Sequence, residues 1–116
     1  MYDHIGLRVK DLKAAVRFYQ SALEPLGHML DDSGVGLGPR GQPGLWLHAD
    51  GQPGGGAHVA FRAAERQAVD RFYAAGLKAG GRDNGKPGVR TDYSPTYYAA
   101  FLIDPDGNNV EAVCVK

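Results

Sequence analysis

His4-Ile5-Gly6-Leu7-Arg8 and His58-Val59-Ala60-Phe61-Arg62 decide the fold, because they are one segment used twice. Sliding the 116-residue chain against itself by 54 positions sets the first on the second without a gap. The match then continues in order. Phe18-Tyr19 falls on Phe72-Tyr73, Leu23 on Leu77, Gly27 on Gly81, and Gly34-Val35 on Gly88-Val89. An ordered run of this kind marks a structural unit repeated. The joint is the turn-rich stretch from Asp50 to Gly56. We expect a single domain over 1–116, with a first module at about 1–50, a linker at 51–56 and a second module at about 57–116.

Each module opens on a strand. In residues 4–9, Ile5, Leu7 and Val9 alternate with His4, Gly6 and Arg8. A helix follows, with Asp11 as N-cap, an apolar stripe of Leu12, Val16, Tyr19, Leu23 and Leu26, and a stop at Pro25 and Gly27. In the second module the spacing predicts a helix from about Ala64 to Ala79, with Val69, Phe72, Tyr73 and Leu77 inside. Short strands are predicted near 28–31, 35–38 and 44–49, and again near 86–91, 97–103 and 108–115. Asp104-Pro105-Asp106-Gly107 is a hairpin turn between the last two. The order is βαβββ, twice. This is an α+β fold in which two βαβββ modules form a cupped, barrel-like mixed sheet with helices on the outside.

Composition narrows the function. Thirteen basic and thirteen acidic residues cancel, which removes the basic stripe that nucleic acid or an anionic membrane would require. Seventeen Gly and seven Pro fit many short elements joined by tight turns. The single Cys114 excludes an intrachain disulfide and a Cys-based zinc cluster. No apolar run reaches the roughly 18 residues of a membrane span. Met1-Tyr2-Asp3-His4 lacks the basic and apolar regions of an export signal, so a cytoplasmic location is expected.

Strand parity then selects residues. The helix takes the face of Ile5, Leu7 and Val9, so His4 points to the other side, and His58 does the same on the fifth strand. On the last strand Val110, Ala112 and Cys114 suit the helix face, which turns Glu111 toward the histidines. A strand histidine is often no more than a hydrogen-bonded structural residue. A repeated pair beside an inward carboxylate has no packing use, and a buried carboxylate demands compensation. Two imidazoles and one carboxylate form a facial ligand set for one divalent ion, whether Fe, Mn, Zn, Ni or Co. We therefore expect His4, His58 and Glu111 as metal ligands. Gly34-Val35-Gly36-Leu37-Gly38 has no following helix and is not a phosphate loop.

These motifs resemble a known family. His4 to Leu12 followed by Phe18-Tyr19, Gly56 to Phe61, and Asp104 to Glu111 are similar to the vicinal oxygen chelate superfamily, across essentially the whole chain. The superfamily includes glyoxalases, bleomycin resistance proteins and extradiol dioxygenases. The resemblance implies paired βαβββ modules around a divalent metal, with its ligands again at His4, His58 and Glu111. It also implies a homodimer, and lyase, isomerase or dioxygenase chemistry on a small molecule with adjacent oxygens. The fourth-strand glutamate of glyoxalase I-like members falls here on Trp46, which can neither ligate nor take a proton. The seventh-strand tyrosine of the extradiol enzymes falls on Phe101, while Tyr97 has the same parity and is the candidate acid. Trp46, Arg90 and Phe101 are the candidate substrate-binding residues, Arg90 for a carboxylate or phosphate. The alternative is a metal-free small-molecule binding protein of the bleomycin resistance type.

Overall fold

The computed structural model describes residues 2–49 and 56–116. Apart from Gly56, the expected linker lies outside the described residues. The first half contains β1 (Ile5–Arg8), α1 (Leu12–Leu23), a 3-10 turn (Glu24–Leu26), β2 (Met29–Leu30), β3 (Gly36–Gly38) and β4 (Leu45–His48). The second half contains β5 (His58–Arg62), α2 (Arg66–Lys78), β6 (Arg82–Val89), β7 (Tyr98–Ile103) and β8 (Asn109–Cys114). The βαβββ order occurs twice, as the repeat requires.

Each half builds one four-stranded mixed sheet, ordered β1-β4-β3-β2 and β5-β8-β7-β6. The two remain separate sheets instead of closing into a barrel, an arrangement consistent with a cup. In both, the first strand runs parallel to the last, and the registers are equivalent. Gly6 pairs Trp46 in one half, and Ala60 pairs Glu111 in the other. The alternation holds: Leu7, Val9, Val59 and Val110 are buried in the core, while His4, Gly6, Arg8 and His58 are exposed.

The helices cover the apolar sheet faces and also pack against one another. Asp11 caps α1, accepting from the Ala14 N–H at 3.1 Å. Gly27 then closes the 3-10 turn in the left-handed region at φ 87°, its N–H donating to the Glu24 carbonyl. The buried arc of α1 is wide and includes Ala15, Phe18, Tyr19, Ala22 and Leu23. That of α2 is narrower: Ala68, Val69, Phe72 and Gly76. Leu77, expected inside, is 39% exposed. Gly76 takes the packing position instead, where an added Cβ would stand 2.3 Å from Leu102 Cδ1. The helix approaches β7 so closely that only a hydrogen fits.

The Asp104–Gly107 turn does more than reverse the chain. Asp104 is buried and accepts from the backbone N–H groups of Asp106 and Asn108, both at 2.8 Å. Its other oxygen accepts from the Tyr19 hydroxyl at 2.6 Å, tying the two halves together. Burial, with the Asp104 carboxylate close by, pushes the Tyr19 phenol far above its ordinary range, so it stays a donor. β6 starts earlier than the predicted 86–91. Asp83 accepts from the Gly85 N–H at 2.9 Å, and the ladder to β7 shifts register on both sides of Gly85. The resulting bulge hides this strand from a period-two reading.

Candidate functional site

The non-helical face of the second sheet carries the strongest cluster. Ala60, Glu111 and Phe101 stand in one row, because Glu111 pairs Ala60 on one side and Phe101 on the other. Glu111 is only 3% exposed, which is unusual for a carboxylate. Two neighbours compensate it. His58 Nε2 lies 3.0 Å from Oε1, and the Tyr97 hydroxyl donates to Oε2. Desolvation, reinforced by the bond to Glu111, pushes the Tyr97 phenol up to about 12.

A stack extends the site outward. The His58 imidazole lies nearly parallel to Phe101, at 6.4 Å between centroids and 21° between planes. The Arg90 guanidinium also lies over that ring, 5.4 Å from its centroid, and its Nη2 donates to the Lys86 carbonyl at 2.5 Å. The chain between them is folded back on itself, with the Arg90 N–H donating to the Tyr97 carbonyl at 2.7 Å. Gly85 makes the stack possible. It sits at φ +153°, and a Cβ there would be 2.9 Å from Phe101 Cδ1 and 3.1 Å from Arg90 Nη2.

The corresponding face of the first sheet is built differently. Trp46 occupies the register position that Glu111 has in the other half, and Gly36 the position of Phe101. The indole fills the space over Gly36, where a Cβ would meet Trp46 Cζ3 at 2.6 Å. His48 leans over Gly6, its Nε2 3.0 Å from where a Cβ would stand. His4 is exposed, with Nδ1 2.7 Å from Asp3 Oδ1.

The structure therefore brings His58, Glu111, Tyr97, Phe101 and Arg90 together. It leaves His4 and Trp46 on the other sheet. Among the described residues of one chain, no three His, Cys, Asp or Glu gather as a metal cluster. Cys114 faces the helix layer as parity demands, buried, with Sγ 3.8 Å from the Ala64 carbonyl. No helix among the described residues is long and apolar enough to cross a membrane. Sequence reasoning missed Gly85, whose signal was only one glycine among many. It also missed the interhalf role of Asp104, which requires knowing that Tyr19 comes near.

Comparison with known proteins agrees with this architecture. A glyoxalase/bleomycin resistance protein from Albidiferax ferrireducens T118 is 31% identical, with a TM-score of 0.79 and 98% of each chain covered. A glyoxalase/bleomycin resistance protein/dioxygenase family enzyme from Burkholderia phytofirmans PsJN is 20% identical, with a TM-score of 0.74 and 98% of each chain covered. A glyoxalase/dioxygenase from Nostoc punctiforme is 23% identical, with a TM-score of 0.72 over 100% of this chain and 91% of its own. The last two likenesses bear on the fold alone. No functionally curated protein matches the chain. The family model described as Glyoxalase/Bleomycin resistance protein/Dioxygenase superfamily matches residues 2–112, and the chain belongs to that superfamily.

Proposed function

We propose that the protein is a metal-dependent enzyme acting on a small molecule with adjacent oxygens, by lyase, isomerase or dioxygenase chemistry. The observation that carries this reading is the buried Glu111 carboxylate with His58 Nε2 at 3.0 Å from its oxygen. An imidazole nitrogen and a carboxylate oxygen brought this close are a donor set that would hold a divalent ion. His4 is the third ligand in this reading, supplied by a second copy of the chain. β1 and β5 are both edge strands, so each half has an open edge at which a copy can join. When bound, such an ion supplies Lewis acidity toward vicinal substrate oxygens.

The other residues follow from their surroundings. Tyr97 keeps its proton through neutral pH and offers it to a developing oxyanion. Arg90 presents guanidinium N–H groups to an anionic end of the substrate. Phe101 and Trp46 supply apolar walls that exclude water.

Elemental analysis of protein purified without chelators tests the proposal, together with its mass in solution. About one ion per chain in a dimer is expected, and loss of the ion in each of His4→Ala, His58→Ala and Glu111→Ala. A specific observation favours a second reading, a metal-free binding protein of the bleomycin resistance type. His58 and Tyr97 already satisfy both Glu111 oxygens within one chain. Unchanged metal content in the His4 and His58 variants would overturn the first reading, and native protein that carries no metal would support the second.

A further inference from the structure

On the non-helical face of the first sheet, the row that holds Trp46 ends on a carboxylate. The Asp31 N–H donates to the Gly36 carbonyl at 2.8 Å, so Gly6, Trp46, Gly36 and Asp31 stand side by side across the sheet. The equivalent row of the second sheet is Ala60, Glu111, Phe101 and Gly85, and Asp31 is the repeat counterpart of Gly85. Asp31 Oδ2 lies 2.8 Å, and Trp46 Cζ3 2.6 Å, from the point where a Cβ on Gly36 would stand. A carboxylate oxygen and the edge of an indole thus meet over one glycine.

The two rows differ by a cation. In the second, the aromatic ring already carries one, the Arg90 guanidinium over Phe101. In the first, among the described residues, no Lys or Arg stacks on Trp46 and none pairs with Asp31. Asp31 Oδ1 accepts from the Ser33 hydroxyl, the Ser33 N–H and the Gly36 N–H. Oδ2 accepts from none of the described residues. It is not one of the buried orphans, which among the described residues are His28 Nδ1 and Asp106 Oδ2, so it is open to solvent. The bonds to the carboxylate, that of the Ser33 hydroxyl foremost, hold its pKa below the usual range, so Asp31 is ionised at neutral pH. An ionised carboxylate with a free lone pair accepts an N–H, and an indole face attracts the same positive charge. A primary ammonium on an alkyl stem satisfies both at once. A quaternary ammonium has no N–H for the oxygen, and an alcohol has no charge for either group.

We propose that Trp46 and Asp31 form a binding site for the protonated primary amine of a small molecule, with an N–H on Asp31 Oδ2 and the alkyl stem against the indole. The site needs neither an ion at Glu111 nor a second copy of the chain, so it stands or falls apart from the proposed function. Trp46 is the single tryptophan of the chain, so its emission and its indole N–H resonance report on this place alone. The test is a titration of the intact protein with n-butylammonium chloride at fixed ionic strength, followed by both signals. A saturable change is expected, with 1-butanol leaving both signals unmoved. Tetramethylammonium should bind at least about threefold more weakly than butylammonium. Asp31→Asn should weaken butylammonium binding at least about fivefold. An equal response to butylammonium and 1-butanol, no response to either, or tetramethylammonium bound as tightly as butylammonium would overturn the assignment. Those comparisons use the native protein and need no variant to fold. An unchanged affinity in Asp31→Asn would overturn it equally.

Discussion

The two halves of the molecule have one backbone plan and two different uses. Their parallel ladders are in the same register, yet the site position holds Trp46 in one and Glu111 in the other. Beside it stands Gly36 in the first half and Phe101 in the second. Small and large have exchanged places across the pair, so both rows are filled, one by an indole and the other by a ring plus a carboxylate. The helices diverge as well. Tyr19 reaches across to Asp104 of the other half, whereas its counterpart Tyr73 bonds Asp83 nearby, at 2.9 Å. Duplication preserves what backbone hydrogen bonding needs, while side chains are free to divide wall from chemistry.

The sharpest way to probe this asymmetry is the pair Leu23 and Leu77, which are repeat equivalents. Leu23 is 1% exposed, and Leu23→Ala should cost about 2–5 kcal/mol of unfolding free energy in urea titrations. A loss below 1 kcal/mol would mean that α1 is not the wide-faced helix described here.

A smaller effect is expected on the sheet. In Gly36→Ala the new methyl meets the Trp46 ring at 2.6 Å, and overpacking of this kind costs about 1–3 kcal/mol. Replacing Trp46 by Leu in the same chain should recover part of that loss. If Gly36→Ala proves neutral by thermal melting, the indole does not rest on that glycine.

The alkaline limb of stability tests the second half. The Tyr97 phenol is raised to about 12 from an ordinary 10.0, so the folded chain holds a proton that the unfolded chain releases. Its contribution is complete below about pH 10 and is lost as pH climbs through about 12. Tyr97→Phe should flatten that loss, with the slope due to the other raised phenols, Tyr19, Tyr73 and Tyr98, remaining. Identical urea midpoints of native and variant protein across this window would remove the Tyr97–Glu111 bond from the account. Least of all should happen in Leu77→Ala, within about 0.5 kcal/mol, because the side chain is 39% exposed. A loss comparable to that of Leu23→Ala would restore the symmetry denied above.

Much of the site was legible in advance, since strand faces follow from period two alone. That parity placed His58 and Glu111 on one face and Cys114 on the other, as the structure has them. The hairpin at Asp104–Gly107 was equally legible from its turn residues. The phase of α2 was not. Its apolar residues allow Leu77 inside, and only the close approach at Gly76 rotates the helix away from it.

The sequence by itself determined the repeat, the element order and the faces of the strands. It could do so because alternation and capping are local: each depends on residues within a turn or a strand of one another. Tertiary structure alone decided that Tyr97 would close on Glu111, that Tyr19 would join Asp104, and that His4 would stand apart from His58 within one chain. Those outcomes depend on how two sheets and two helices fill space together, and packing of that kind links residues far apart in the chain that no local pattern connects.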